Sequence, residues 1–427
     1  MTAAALKMAA PAAWRYRGRA WTLAAVLFLI TMVPSTLPHY PTILFGSVVL
    51  GLAFCACENK GRLPFSLFPA FLLLFALCVF ISEVWCMLSG GTFSFVDLSE
   101  MLRAFCYAGL FMLFSAGCRE EKDRERVTRG LIGLLSVSSF VAVTQFFNPF
   151  HLNERYVPYI APTQYLSLIN NHSKPRVVGL TPNPNVFAFL AAVAVGLSFL
   201  MLLRSRRLRY AALILLNGIA LLMSSSRSAF IMLIFLVVFF AVFYCWVNFG
   251  IIDALLFCGV LVAVGTVLLM LLPQSITGRI LEVFQFGSVK SMQERYIHWQ
   301  ESFRYIHQSP LLGIGPGTAV DFQYAADNEW LLLMRQYGAV GVLVWTSAMV
   351  LPVINGVGRR FRDDYFMMAA CLMAGSFVCM YVSAFYHNND IGPVVMVILA
   401  LGIGAPFVKT APQYRSVSGL LLGKWTL

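Results

Sequence analysis

Apolar residues in this chain fall into long runs separated by short polar stretches, and the runs themselves carry the structural signal. Hydrocarbon about 30 Å thick is crossed by about 20 apolar residues in a helix. Twelve windows meet or approach that length: 20–33, 41–57, 63–88, 98–117, 130–147, 182–203, 210–223, 229–247, 253–272, 328–353, 365–386 and 391–408. The first and seventh are the shortest. The pattern predicts an all-α integral membrane protein of about twelve transmembrane helices, a single polytopic domain over 1–427 with no appended soluble domain. No internal repeat is visible, which argues against transporters built from duplicated halves.

Composition supports the same class. The chain is 59% hydrophobic and only 12% charged, with a mean hydropathy of +0.77, whereas a soluble domain is about one quarter charged. Most of the 31 basic residues fall in the N-terminal tail, 58–62, 118–129, 204–209, 355–364 and the C-terminal tail. Cytoplasmic segments collect Lys and Arg in this way, so both termini are expected on the cytoplasmic side of the membrane. The net charge of +12 is then mainly a topology signal. Short basic runs that each abut a span give no reason to invoke nucleic acid. The first span runs on into TMVPSTLPHYP without a small-residue cleavage site, so it is expected to stay as a span. All ten cysteines lie within or beside apolar spans and are expected to act as small buried hydrophobes. Cys55 and Cys57 are too close together for a zinc pair.

Two polar interruptions are long, 148–181 and 273–327, and both are expected on the outer side of the membrane. All six histidines (His39, His151, His172, His298, His307 and His387) also map to that side, so chemistry is expected to face outward. Between windows five and six, Asn183 is suited to cap a helix whose first residue is Pro184. The N–H groups there, with Asn185, would favour an anion. Ser224–Phe230 joins the seventh and eighth windows by a tight outer turn that holds Arg227 at the membrane surface.

In the second long loop, Arg295, Trp299 and Phe303 recur every four residues. They predict an amphipathic interfacial helix over about 290–307, with Arg304 and His298 beside the stripe. Ser309-Pro310 ends that helix, and Gly313-x-Gly315-Pro316-Gly317 predicts a structural elbow; it follows no strand, so a nucleotide loop is not expected. Asp327 and Asn328 are suited to cap the tenth span. Arg335 lies about 12 Å further along that helix and needs a carboxylate or an aqueous cavity. Glu83, Asp97 and Glu100 are the candidate partners, and Glu100 can also pair locally with Arg103.

At these residues, over roughly 176–350, the chain resembles the O-antigen ligase and O-antigen polymerase superfamily of bacterial membrane glycosyltransferases. Three blocks carry the likeness. The first is Arg176 with Gly179 and Asn183-Pro-Asn185; the second is the Ser-x-Ser-Arg-x-Ala turn from Ser224 to Ala229. The third combines Arg295, Trp299, Pro310-Leu-Leu-Gly-x-Gly-Pro-Gly317, the polar pair at 327–328, Gly338 and Gly341. The resemblance implies a GT-C-like fold with no cofactor and no metal. It also implies an undecaprenyl-diphosphate-linked glycan as substrate, with a chain-length regulator or flippase as protein partner. Ligases of the superfamily typically carry His-Asn where this chain has Asp327-Asn328, which favours a repeat-unit polymerase making O-antigen or exopolysaccharide over a ligase acting on lipid A–core. A transporter of polysaccharide or lipid is the reading from another class; it would place charges near the membrane midplane.

On this reading the diphosphate rests on Arg227 and Arg295, with Arg176 and Arg304 as further contacts, because guanidinium forks bind phosphate oxygens bidentately. Asp327 is the expected base, and the transfer inverts the anomeric carbon without a metal. Asn328, Arg335, Arg103, Asn183, Asn185 and His298 complete the expected substrate-binding set. His298, His307 and His387 are the histidines able to reach the site from elsewhere.

Overall fold

The computed structural model describes residues 3–58, 63–91, 97–162, 164, 176–271, 290–316, 328–360, 363–381, 383 and 385–404. Among these residues the secondary structure is helical, with no strand. In chain order the helices are α1 (Ala3–Met32), α2 (Tyr40–Glu58), α3 (Leu67–Leu88), α4 (Leu98–Gly117), α5 (Glu121–Phe147), α6 (Leu152–Ile160), α7 (Pro184–Ser205) and α8 (Leu208–Ser224). They continue with α9 (Arg227–Leu233), α10 (Phe240–Asn248), α11 (Ile251–Leu271), α12 (Lys290–Gln308), α13 (Glu329–Arg360), α14 (Asp364–Cys379) and α15 (Ile391–Leu399). A wider turn of π type, Ile234–Phe239, joins α9 to α10, and another, Ala400–Gly404, follows α15.

Among the described residues, six helical runs are long and apolar enough to cross a membrane: α2, α3, α5, α7, 227–248 and 329–357. Shorter apolar helices at 18–32, 208–224, 251–260, 364–379 and 391–404 occupy the other windows apart from the fourth, which is α4. The interruption 148–181 is partly structured, since Pro149–His151 forms a 3-10 turn that leads into α6.

The sequence of α7, PNVFAFLAAVAVGLSFLMLLRS, is apolar on every side. A helix without a polar face belongs in an interior, and α7 is accordingly buried along nearly its whole length. It packs against α5, α8, α9 and α14, while α3 lies between α4 and α13. Most of the cysteines are buried, as the sequence leads one to expect, although Cys57 is exposed.

One irregularity shapes the part of the fold that matters most here. Within α13, Gly338 adopts φ +64° and ψ −171°, which breaks the helix. An intact helix would pair the carbonyls of residues 335 and 336 with the N–H groups of 339 and 340. The segment 310–316, which holds the predicted elbow up to Pro316 while Gly317 lies outside the described residues, takes both sides of those lost bonds. Ile314 N–H donates to the Arg335 carbonyl (2.9 Å) and Gly315 N–H to that of Gln336 (3.1 Å). In return, Ala339 N–H donates to Pro310 (2.9 Å) and Val340 N–H to Leu311 (3.2 Å). The Gln336 side chain adds a bond to the Pro316 carbonyl (2.7 Å), and Ser82 Oγ donates to the Gln336 carbonyl (2.5 Å). Irregular backbone is tolerated among membrane helices only where protein satisfies it, and here the elbow does so.

Two glycines make that approach possible. A Cβ on Gly313 (φ +75°) would overlap the Gln336 carbonyl, and one on Gly338 would overlap the Leu311 carbonyl. Gly338→Ala or Gly313→Ala is therefore expected to destabilise the protein by at least about 2 kcal/mol. Gly218→Ala, with nothing within 4 Å of its Cβ position, should cost little. Thermal unfolding followed by size-exclusion chromatography in detergent distinguishes the two; equal melting temperatures for all three variants would contradict the clasp.

Candidate functional site

One end of the bundle gathers the start of α4, α7 and α13, the α8–α9 turn and the connection 380–390. There the Asn183 side chain accepts the Asn185 N–H (2.8 Å), so the cap expected ahead of Pro184 forms. Arg176 donates through Nε to the Ser224 carbonyl and through Nη2 to Asn185 Oδ1, both at 2.9 Å. Two of the three sequence blocks, the loop entering α7 and the serine-arginine turn, are thereby tied together by one side chain. Gln145 anchors the loop from below. Its Oε1 accepts the Val178 and Gly179 N–H groups (both 2.9 Å) and its Nε2 donates to the Gly179 carbonyl (2.8 Å). Arg227 is the first residue of α9 and partly buried. Beyond it, Cys379 Sγ donates to the Ser228 carbonyl (3.3 Å), linking this turn to the end of α14.

From there a polar chain crosses the bundle end. Glu329 N–H donates to the Met380 carbonyl (2.8 Å), and Trp330 stacks on Phe377 with ring centroids 5.2 Å apart. The Glu329 carboxylate, fully buried, accepts the Phe385 N–H at Oε2 (2.6 Å), while its Oε1 lies 2.6 Å from His387 Nδ1. A carboxylate at Nδ1 assigns the proton of the neutral ring to that nitrogen, which leaves Nε2 as the acceptor. Nε2 is buried and makes no hydrogen bond among the described residues; Glu100 Oε2 stands 3.9 Å away.

Arg103 pairs with Glu100, as the spacing of three predicts, and its Nε donates to Asn389 Oδ1 (3.1 Å). Two tyrosines wall the imidazole, and a third braces one of them. Tyr337 lies parallel to it at 6.2 Å, and Tyr386 stands edge-on at 5.1 Å. Tyr107 donates to the Tyr386 carbonyl (2.9 Å). The Tyr386 hydroxyl in turn donates to the Glu100 carbonyl (2.8 Å), and the Arg103 guanidinium lies 5.6 Å from the Tyr386 ring centre. Asp390 closes the connection by accepting the Ser35 hydroxyl (2.7 Å); burial pushes its carboxyl up to about 6, against the lowering effect of that bond.

The amphipathic helix forms over Lys290–Gln308, one residue longer than the expected 290–307. Its inward face carries Trp299 of the predicted stripe. Trp299 and Ser302 are buried and Phe303 is exposed, because seven residues make almost two full turns and 302 returns closer to 295 than 303 does. Trp299 meets Tyr381 edge to face at 5.3 Å. Arg295 is partly buried on this helix and Arg304 is exposed.

Arg335 is buried, as its depth in the tenth span predicts, and α12 contributes to its surroundings. It donates to Ser302 Oγ (3.5 Å), with Glu301 supplying the neighbouring negative charge. Glu100, one of the partners expected for it, is paired with Arg103. Asn328 is buried and its Oδ1 accepts the Leu331 N–H (3.2 Å), so it caps α13. Asp327, the expected base, lies outside the described residues, as does the side chain of His298. Among the described residues, no cluster of three His, Cys, Asp or Glu side chains is arranged to hold a metal.

Glu329 is the residue that the sequence reading passed over. Its signal was a third polar residue following Asp327-Asn328 at the mouth of an apolar span. His387 is one of the three histidines expected to be able to reach the site, and Tyr386–Asp390 is a polar run between two apolar windows.

The chain has no match among curated proteins. Residues 211–346 match the Wzy_C family model, described as O-antigen ligase. That span contains Arg227, Arg295, Asp327, Asn328, Glu329, Arg335 and the glycine elbow, and leaves Arg176 and His387 outside it. The matched stretch spans the second and third sequence blocks, so this part of the chain is similar to the O-antigen ligase family.

Proposed function

We propose that this membrane protein is a glycosyltransferase that polymerises oligosaccharide repeat units carried on undecaprenyl diphosphate. In this reading it works at the periplasmic face of the inner membrane, with about twelve spans and both termini cytoplasmic. The observation that carries the proposal is the buried Glu329–His387 pair, whose Nε2 makes no hydrogen bond among the described residues, at the same bundle end as the arginine loops.

His387 Nε2 takes the proton from the attacking hydroxyl of the acceptor sugar. Glu329 holds the imidazole in the required tautomer and stabilises the imidazolium that forms. The hydroxyl oxygen bonds to the anomeric carbon of the donor as the bond from that carbon to the diphosphate oxygen breaks, which inverts the centre. The leaving diphosphate carries the departing electron pair and rests on Arg227 and Arg295, whose charge matches it throughout the relevant pH range. Arg176 holds the α8–α9 turn that presents Arg227, and Arg304 offers a further cation on α12. Arg103 fixes Glu100 and Asn389 beside the base. Arg335, Asn183, Asn185 and Asn328 build the walls, and His298 remains a candidate substrate contact. Asp327 is the alternative base.

Removal of a positioned general base costs about 10²–10⁴ in rate. His387→Gln and Glu329→Gln are therefore expected to abolish long polymer in a complementation assay at normal protein levels, while Asp327→Asn keeps it. Full-length polymer from His387→Gln, together with loss in Asp327→Asn, would transfer the role of base to Asp327. Arg227→Ala and Arg295→Ala should also lose polymer, and wild-type ladders from both would remove the diphosphate clamp.

The family description favours a second reading, the ligase that moves finished polymer onto lipid A–core. The product of a deletion strain separates the two. Absence of the chain-length ladder marks a polymerase, and free polymer accumulating unattached marks a ligase.

A further inference from the structure

At the opposite end of the bundle, α1 and α5 part to leave a crevice of about 470 Å³. Its walls are apolar, with Leu23, Leu27, Phe28 and Leu134 among them. Two glycines of α5 keep it open. A Cβ on Gly133 would have nothing within 4 Å, and one on Gly130 would first meet Leu27 at 3.6 Å. The mouth is polar and cationic. Arg19, Arg126 and Arg129 reach it, with Asp123 as the single carboxylate of the lining. Asp123 is shared between Arg126 (3.1 Å) and Arg19 (4.0 Å), while Arg129 Nε donates to the Glu125 carbonyl (3.2 Å). Two other carboxylates of this turn, outside the crevice lining, meet Arg204: Glu121 directly and Glu125 at 3.5 Å.

Three guanidinium groups against one carboxylate, above an apolar slot, match an anionic head group with hydrocarbon attached. The volume falls in the range of about 300–1,000 Å³ typical of small-molecule sites. Basic pockets between spans at the cytoplasmic side are suited to phospholipid head groups. We propose that the α1–α5 crevice binds one anionic glycerophospholipid, its phosphate on Arg126 and Arg129 and an acyl chain along Gly130 and Gly133. This inference stands apart from the glycosyltransferase reading, because it uses no residue of the other end.

The test uses the full-length protein in nonionic detergent, mixed with phosphatidylglycerol and phosphatidylcholine of identical chains, with retained lipid counted by native mass spectrometry. Wild-type protein should retain phosphatidylglycerol preferentially. Each basic residue near a head group contributes about 1 kcal/mol, so Arg126→Gln/Arg129→Gln should weaken phosphatidylglycerol retention about thirtyfold. Gly133→Leu, which fills open space, should remove retention of the bound lipid while leaving the melting temperature near that of wild type. Equal retention of the two lipids by wild type would overturn the proposal. So would a preference that survives the double arginine variant, or retention that survives Gly133→Leu.

Discussion

Backbone amides and carbonyls cannot be left without partners among membrane helices, and the break at Gly338 sets that constraint at its sharpest in this protein. Two helical bonds are given up there, and the elbow of Pro310–Pro316 replaces each on both sides. The consequence extends beyond local repair. The segment 329–337 becomes a short helix of its own, fastened at one end by the elbow and at the other by Glu329 N–H on the Met380 carbonyl. Glu329, Arg335 and Tyr337 all take their positions from this segment, and α12 is held close because the elbow leaves directly from its C-terminal end. The interfacial helix, the elbow and the mouth of α13 thus form one unit.

The two ends of the bundle treat charge differently. At the end that carries the basic short connections, acids and bases meet one another. Arg124 bonds Asp363 (2.9 Å) with both side chains buried, Arg204 bonds Asp364 (3.0 Å), and both guanidiniums lie against the Tyr365 ring. Buried pairs of this kind hold helix ends together, and removal of one partner costs about 3–5 kcal/mol. At the other end, Glu329 and Glu100 bracket a histidine whose second nitrogen makes no hydrogen bond among the described residues. A carboxylate held out of water and given to an imidazole is the arrangement a proton-transfer site requires.

Much of this was legible in the sequence because it was local. The apolar windows, the Asn183 cap, the turn at Ser224–Arg227, the Glu100–Arg103 pair and the glycine elbow each depend on residues within a few positions of one another. The failures came from distance or from geometry. Glu329 and His387 lie 58 positions apart and no local pattern joins them. For Arg335 the spacing points to acids on α3 and α4, and the structure adds Ser302 and Glu301 of α12, because the elbow folds α12 back over α13. On α12 the spacing of four marks Arg295, Trp299 and Phe303, and the structure adds Ser302 beside Trp299 on the face turned inward. The break at Gly338 was invisible as such: a glycine in an apolar window looks like any small packing residue until the elbow that needs it is in place.

The central claim is that Glu329 and His387 act as one catalytic unit. Groups that act as a unit show strongly non-additive losses when they are removed. The direct measurement is a double-mutant cycle on the purified protein with a lipid-diphosphate-linked glycan, comparing transfer rates for Glu329→Gln, His387→Gln and the double variant. The account predicts a large loss in each single variant, with the double variant no slower than His387→Gln alone. Losses that multiply, or a His387→Gln enzyme that turns over at the wild-type rate, would contradict it.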